Sequence, residues 1–386
     1  MVVVTREIII RDGSRVYRML SFGPQYYSHI YIWFIAILSL FVFNKYAQYS
    51  SRRLAKDTDQ STFWGLIIAI VVALFVGLRP VSEAYFVDMA NYSAALSFYS
   101  GEYFSFNWST DNIIFDNFLL FYASKSLPEE VFFLSISAIY FFCMVWACSS
   151  LFPRDKIAAF LVCLGAFSTF SYATNGMKAG AAASIFLVSI ALYEKRRLLW
   201  ALVFAIISMG FHHSMIVPVA SLVICHFVNN PRVFFATWGF AFLMALFHIT
   251  YFQQIFAWLA DEQGASYLIG SDDFIRKDIF GGFRIDFILY SAAPIIFGWI
   301  GVFKKRLTSR NYSFLLNLYL LTNAIWLLCM YAEFTNRIAY LSWFMLPIVL
   351  IYPLLNENWG NKQYQTFRWV ALGHLGFTLF MQYIFY

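Results

Sequence analysis

Four cations beside long apolar segments are the residues of this sequence most able to bind a charged ligand. Arg79, Lys178, Arg284 and Arg337 lie in LFVGLRP, NGMKAGAAAS, GGFRIDF and FTNRIAY. Charges close to apolar depth are costly and usually functional, so together they predict an anionic partner. Two alternatives remain open: each cation is an anchor that extends towards water, or Arg284 and Arg337 pair with nearby acids, Asp286 and Glu333.

Two further residues could take a proton from a substrate. His212 lies in FHHSM, between two apolar stretches, and Asp88 lies in YFVDMANY among aromatic residues. Histidine has an ordinary pKa of about 6.5, and either group could act as a general base. The alternative for His212 and His213 is a hydrated turn between two helices, where polar residues cost little.

The composition places these residues in a membrane protein. Hydrophobic residues make up 61% of the 386 and charged residues only 12%, and the apolar runs approach the roughly 20 helical residues that cross a bilayer. We predict an all-α, polytopic protein of about twelve transmembrane helices. The predicted spans are 30–46, 62–78, 130–150, 156–173, 177–193, 198–211, 214–229, 233–250, 286–303, 312–331, 338–355 and 367–385.

Several shorter features complete this organisation. Residues 1–29 form a basic tail, and 30–386 form one transmembrane domain. The predicted order of crossings places this tail outside, so either it lies on the membrane surface or one crossing is miscounted. The apolar piece 113–126 is too short to span and is expected to dip into the membrane or lie on it. Gly176, Gly180 and Ser184 form a small-residue stripe suited to close helix packing. The five cysteines are expected to be core residues.

The basic loops predict the orientation, because short loops rich in Lys and Arg stay in the cytoplasm. The predicted inner loops are 45–61, 151–157, 194–197, 229–232, 304–310 and 356–368. The opposite side then carries the two longer loops, 79–129 and 251–285, together with FHHSM and the four cations. No metal-binding motif, glycine-rich phosphate loop or nucleophile elbow is found in the sequence, so we expect no metal, cofactor or nucleic-acid partner.

Four of these segments, taken in order, resemble the EpsG or Wzy type of bacterial polysaccharide polymerase. The resemblance is carried by LRPVSEAYFVDMANY, NGMKAGAAAS, FHHSM and NRIAY, and it extends from 62 to 355. One departure is that Lys178 and Ala179 stand where the family pattern has Arg and Gln. The matching positions are Arg79, Asp88, Tyr92, Asn175, Lys178, His212, Ser214, Arg337 and Tyr340.

The resemblance implies a metal-independent membrane glycosyltransferase with a fold similar to GT-C enzymes. Its substrates would be polyprenyl-pyrophosphate-linked oligosaccharides, joined on the outer face of the bacterial inner membrane to make O-antigen, capsule or exopolysaccharide. A chain-length regulator and a flippase are expected partners, besides membrane lipid. The expected site has His212 and Asp88 as catalytic residues, Arg79, Lys178, Arg284 and Arg337 as pyrophosphate-binding residues, and Tyr92, Asn175 and Tyr340 as substrate-binding residues.

Three other functions share part of this pattern. A lipid-linked oligosaccharide flippase would have a similar number of crossings, but its charges should follow a central path. A membrane acyltransferase would usually need a cytoplasmic histidine, and the predicted inner loops contain none. An O-antigen ligase shares the chemistry of the polymerase, and the sequence leaves it open.

Overall fold

The computed structural model describes residues 22–48, 58–258, 282–307 and 309–385. Helices are the regular elements of these residues, so the all-α prediction is confirmed. In chain order the α-helices are α1 (Tyr27–Lys45), α2 (Thr58–Gly77), α3 (Val87–Phe98), α4 (Ile113–Ser124), α5 (Glu129–Leu151), α6 (Lys156–Leu164), α7 (Thr169–Thr174), α8 (Met177–Glu194), α9 (Leu198–Phe211), α10 (Ile216–Phe227), α11 (Pro231–Leu246), α12 (Tyr251–Trp258), α13 (Ile285–Trp299), α14 (Arg310–Leu328), α15 (Thr335–Trp343), α16 (Leu346–Leu355) and α17 (Gln363–Phe380).

Length and composition identify this chain as a helical membrane protein. Within the described ranges, five segments are long and apolar enough to cross a bilayer: Pro24–Lys45, Glu129–Leu151, Met177–Glu194, Ile285–Lys304 and Thr335–Leu355. Shorter apolar helices, α9 and α11 among them, lie between these segments. Large apolar side chains such as Phe41, Leu199 and Phe247 are exposed on the outside of the bundle, as lipid contact requires. The number of twelve crossings stays a prediction.

Two of the predicted spans are broken helices. The span 156–173 is divided into α6 and α7, and the span 338–355 into α15 and α16. Backbone carbonyls freed by the first break are satisfied inside the bundle, because Tyr31 donates to Leu164 O (2.8 Å) and Thr378 donates to Gly165 O (2.8 Å). Irregular backbone at membrane depth is tolerated where it is buried in protein and hydrogen-bonded. Hydropathy does not detect such breaks, since the residues remain apolar.

The segment 79–129 is more ordered than the predicted loop. It contains α3 and α4, and each helix carries an acid in its first turn, Asp88 and Asp116 respectively. Acids at this position interact favourably with the helix dipole. The second predicted loop, 251–285, begins with α12, and its residues 259–281 lie outside the described residues. The basic tail is likewise described only from Phe22.

The predicted inner loops meet at one end of the bundle, as their grouping predicted. Hydrogen bonds join them into one connected set, which links Asn44 with Arg368, Tyr46 with Asp155, Leu151 with Asn356, Glu194 with Asn311, Asn229 with Arg310, and Lys305 with Trp359. We call this end the Glu194 end and the opposite one the Asp88 end. The compartment that each end faces stays a prediction.

The small-residue stripe packs as predicted. A Cβ on Gly180 would lie 2.3 Å from the carbonyl oxygen of Tyr172, and a Cβ on Gly176 would lie 2.5 Å from the ring of Tyr172. The two glycines therefore allow α7 to contact the start of α8. The cysteines are all free, and all but the partly buried Cys143 are buried, which confirms their assignment to the core.

Candidate active site at the Asp88 end

Four predicted site residues, three from separate helices and one from the turn after α9, come together at the Asp88 end. The charges of Arg337 and Lys178 both act on the Asp88 carboxyl, and the same two cations act on the His212 ring. Arg337 is exposed, while Asp88, Lys178 and His212 are partly exposed, so a ligand can reach them. We call Asp88, Lys178, His212 and Arg337 the charged cluster. Their positions span 88 to 337, so the fold and not sequence proximity assembles them.

The N-termini of three helices point their dipoles at this cluster. Asp88, Lys178 and Arg337 lie in the first turns of α3, α8 and α15. The N-cap residues of these helices are Phe86, Gly176 and Phe334, none of which has a side-chain acceptor. Helix N-termini carry partial positive charge and backbone N–H donors, which favour anions. The arrangement can therefore hold an anionic group.

The His212 ring is neutral and has a defined tautomer. The backbone N–H of Ser214 donates to His212 Nδ1 over 3.2 Å, so Nδ1 carries a lone pair. Burial lowers the pKa of His212, and the charges of Lys178, Arg337 and His213 lower it further. A neutral histidine has one N–H, which here is on Nε2. His212 consequently offers a hydrogen-bond donor.

Asp88 and Tyr92 lie one helical turn apart on α3 and influence each other. Burial raises the pKa of Asp88, and the positive charges of Arg337 and Lys178 offset part of that rise. Burial also raises the pKa of Tyr92, and the charges of Asp88 and Asp116 raise it further while Arg337 lowers it. Tyr92 therefore keeps its hydroxyl proton and lies between two carboxylates.

The sequence analysis did not foresee that α4 packs against the site. Phe115 is fully buried; its ring centroid lies 5.1 Å from that of Tyr92 and 5.8 Å from Lys178 Nζ. Asn112 Oδ1 accepts a hydrogen bond from the His213 backbone N–H (3.0 Å), which fixes the FHHSM turn against α4. The available signal was Asp116, an acid in an apolar piece too short to span the membrane.

Arg79 and Asn175 fix the backbone around the site through hydrogen bonds to carbonyl oxygens. Arg79 is 2% exposed; its guanidinium donates to the carbonyl oxygens of Val76 (2.6 Å) and Thr174 (2.8 Å). Asn175 donates from Nδ2 to the carbonyl oxygen of Tyr85 (3.0 Å). Backbone carbonyls thus hold the Arg79 guanidinium, and both residues tie segment 79–86 to the end of α7. The contact of Arg79 with an anion stays a prediction.

Tyr340 lies below the charged cluster and is buried. Its ring stacks on Tyr172, and its hydroxyl is 3.3 Å from the hydroxyl of Tyr140. Only 2% of Tyr340 is exposed, so the geometry shows a packing role. It holds α15 against α7, which in turn contacts Gly176 and Gly180.

Arg284 forms the ion pair that its spacing allowed. Its guanidinium contacts the Asp286 carboxylate through two nitrogens, at 2.9 and 2.6 Å. The same guanidinium lies 3.7 Å from the ring centroid of Phe287.

The fold and the charged cluster define a class, the helical membrane proteins with a polar site at one end of the bundle. Within that class the chain belongs to the EpsG family, whose model matches residues 62–384. It is therefore a membrane protein of polysaccharide biosynthesis, and the resemblance seen in its sequence is confirmed. No curated protein and no solved structure matches the chain.

Proposed function

We propose that this protein is a glycan polymerase that joins polyprenyl-pyrophosphate-linked oligosaccharide repeat units. One observation carries the proposal, namely the convergence of the charged cluster at one end of an EpsG-family bundle. The reaction transfers a glycan from its lipid carrier to a hydroxyl of a second unit. It needs a site for the pyrophosphate leaving group and a group that takes the hydroxyl proton.

The leaving group fits the cationic side of the cluster. When the bond between the anomeric carbon and the phosphate oxygen breaks, the lipid pyrophosphate gains negative charge. Lys178, Arg337 and the N-termini of α3, α8 and α15 are placed to stabilise that charge. The proposed mechanism requires no metal ion, because cations of the chain fill this role.

The acceptor fits the side formed by α3. Asp88 supplies a carboxylate that can take a proton, and Tyr92 supplies an aromatic ring with a hydroxyl. Aromatic rings and carboxylates suit sugar rings and their hydroxyl groups. We assign Tyr92 to the acceptor glycan, and we assign Arg79, Asn175 and Tyr340 to positioning the cluster.

The membrane arrangement in this proposal follows the sequence. The chain crosses the bacterial inner membrane twelve times, and the Asp88 end faces outward. Arg284, which pairs with Asp286, is assigned a secondary contact with the glycan or pyrophosphate. A flippase that delivers lipid-linked units and a chain-length regulator are the protein partners that such a polymerase needs.

Deleting the gene in its host tests the proposal against its alternatives. A polymerase defect leaves surface glycans of single repeat units, and the wild-type gene restores long chains. Complementation with Arg337→Ala should restore the protein in the membrane but not the long chains. Loss of all surface glycan on deletion would contradict the polymerase and favour the flippase or the O-antigen ligase.

A further inference from the structure

We propose that His212 donates a hydrogen bond from Nε2–H to the pyrophosphate and that Asp88 is the base that takes the acceptor's proton. This inference rests on the proposed function and divides the two catalytic roles between residues that the sequence left interchangeable. It follows from the hydrogen bond at Nδ1 of His212 and from the charges around both residues.

The first step of the argument is the hydrogen bond at Nδ1. A backbone N–H can only donate, so the bond from Ser214 occupies the lone pair of His212 Nδ1. A base must present a lone pair to the substrate, and the occupied Nδ1 has none to offer. The remaining nitrogen, Nε2, carries the proton of the neutral ring and can only donate.

The second step concerns the groups that face His212. They are Lys178 from α8, Arg337 from α15 and the adjacent His213, all of which oppose a positive charge on the ring. An imidazolium formed by proton abstraction would therefore be destabilised at this place. A neutral N–H donor among the same cations instead adds to the binding of an anion.

The third step concerns the groups that face Asp88, which favour its carboxylate. Arg337 and Lys178 stabilise the ionised form, while burial makes the carboxyl more basic than an exposed one. General-base catalysis requires an ionised carboxylate, which the two cations favour, and burial increases its basicity. Tyr92 faces Asp88 from the next turn and keeps its proton.

The resulting step is balanced. The acceptor hydroxyl oxygen bonds to the anomeric carbon of the donor, and its proton passes to the Asp88 carboxylate. The bond between the anomeric carbon and the phosphate oxygen breaks, and its electron pair leaves with the lipid pyrophosphate. His212 Nε2–H, Lys178 and Arg337 bind that oxygen as its charge grows. The Asp88 proton then passes to water.

Substitutions at His212 separate a donor from a base. In purified protein in proteoliposomes with lipid-pyrophosphate-linked repeat units, His212→Gln keeps an N–H near the Nε2 position and should stay within about tenfold of the unsubstituted rate. His212→Ala should lose about 10²–10³-fold, as expected for one lost donor. His213→Gln and His213→Ala are the matched controls and should extend chains at nearly the normal rate.

Asp88→Asn provides the complementary measurement. It keeps the size of the side chain but removes the base, so we expect a loss of about 10²–10⁴-fold. The acidic limb of the kcat/KM profile should persist in His212→Gln, because it reports Asp88. An inactive His212→Gln enzyme, or an acidic limb that disappears with it, would overturn the assignment. Failure of the unsubstituted protein to extend chains would instead contradict the proposed function itself.

Discussion

Arg79 and Arg337 match the same family pattern but have different surroundings. Arg79 is 2% exposed, and its guanidinium is held by backbone carbonyls of α2 and α7. Arg337 is exposed in the first turn of α15, and its charge acts on Asp88 and His212. Burial lowers the pKa of Arg79, as expected for a cation that serves structure.

Replacing each of the two arginines with alanine should therefore affect a different property of the protein. Arg79→Ala leaves two buried carbonyls without their donor, which costs about 1–3 kcal/mol for each group, and should lower the thermal midpoint in detergent. Arg337→Ala should lose chain extension while the protein still accumulates in the membrane. Arg337→Lys should recover only part of the rate, since the planar fork is lost. A midpoint of Arg79→Ala equal to that of the unsubstituted protein would contradict the bracing role.

The charge of Lys178 should affect the pH dependence of chain extension. Its positive charge lowers the pKa of Asp88. In Lys178→Gln that pKa should therefore rise, and Asp88 should become protonated at a higher pH. The acidic limb of the kcat/KM profile should move to higher pH, and the rate should also fall. Lys178→Arg keeps the charge and should leave the limb in place. A limb that moves downward or stays fixed in Lys178→Gln would contradict the electrostatic contact.

The sequence could identify site residues but not the roles of all of them. Asp88 and His212 stood out because no helix pattern required a titratable group at their positions. The partners of Arg79 and Tyr340 could not be foreseen, because their contacts come from residues about 95 or more positions away, Thr174 and Tyr140. Phe115 was missed because a buried aromatic in an apolar segment resembles every other core residue.

At the scale of elements, the contact between α7 and α8 places Lys178. Gly180 approaches the Tyr172 backbone too closely for any side chain. Tyr172 stacks on Tyr340 of α15, the helix that carries Arg337. One close approach therefore sets the relative positions of two cations of the cluster.

A single methyl group at this contact should disturb both stability and activity. In Gly180→Ala the new Cβ meets a carbonyl oxygen of the backbone, which cannot rotate away, and such overpacking costs about 1–3 kcal/mol or more. We expect a lower thermal midpoint and a large loss of chain extension. Gly239→Ala in α11 is the control, because its Cβ meets no atom within 4 Å. Normal activity in Gly180→Ala would show that the cluster tolerates a shift of α8.

Element existence was largely predictable, whereas element continuity was not. Apolar runs gave the position of α1, α5, α8 and α14 because hydropathy responds to composition. The break between α6 and α7 depends on Tyr31 and Thr378, which satisfy carbonyls from distant parts of the chain. The helix α3 escaped prediction as an ordered element because it is short and mixes polar with apolar residues, whereas α4 coincides with the predicted apolar piece 113–126.

At the scale of the whole molecule, the two ends of the bundle differ in charge and in the compartment that each is proposed to face. The Glu194 end gathers the basic loops, and the Asp88 end gathers the charged cluster. From the positive-inside preference we expect the Glu194 end to face the cytoplasm. Charge distribution along the sequence was sufficient for this grouping, since each short loop contributes independently.

Thiol labelling in intact cells checks the orientation. Tyr103→Cys places a thiol on a side chain that is 95% exposed in the segment between α3 and α4, and an impermeant reagent should label it from outside. Lys195→Cys, exposed between α8 and α9, should label only after the cells are opened. The unsubstituted chain is the control, because its described cysteines are buried or partly buried. The reverse pattern would place the cluster in the cytoplasm.

Chain extension by the purified protein tests the central claim most directly. Proteoliposomes that contain only this protein and polyprenyl-pyrophosphate-linked repeat units are incubated, and the glycan length and the released lipid pyrophosphate are measured together. The account predicts a ladder of multiples of the repeat unit, with one lipid pyrophosphate released for each linkage formed, and both products formed about 10²–10⁴-fold more slowly with Asp88→Asn. The account would be contradicted if the protein is folded in the membrane but the repeat units remain single and no lipid pyrophosphate is released.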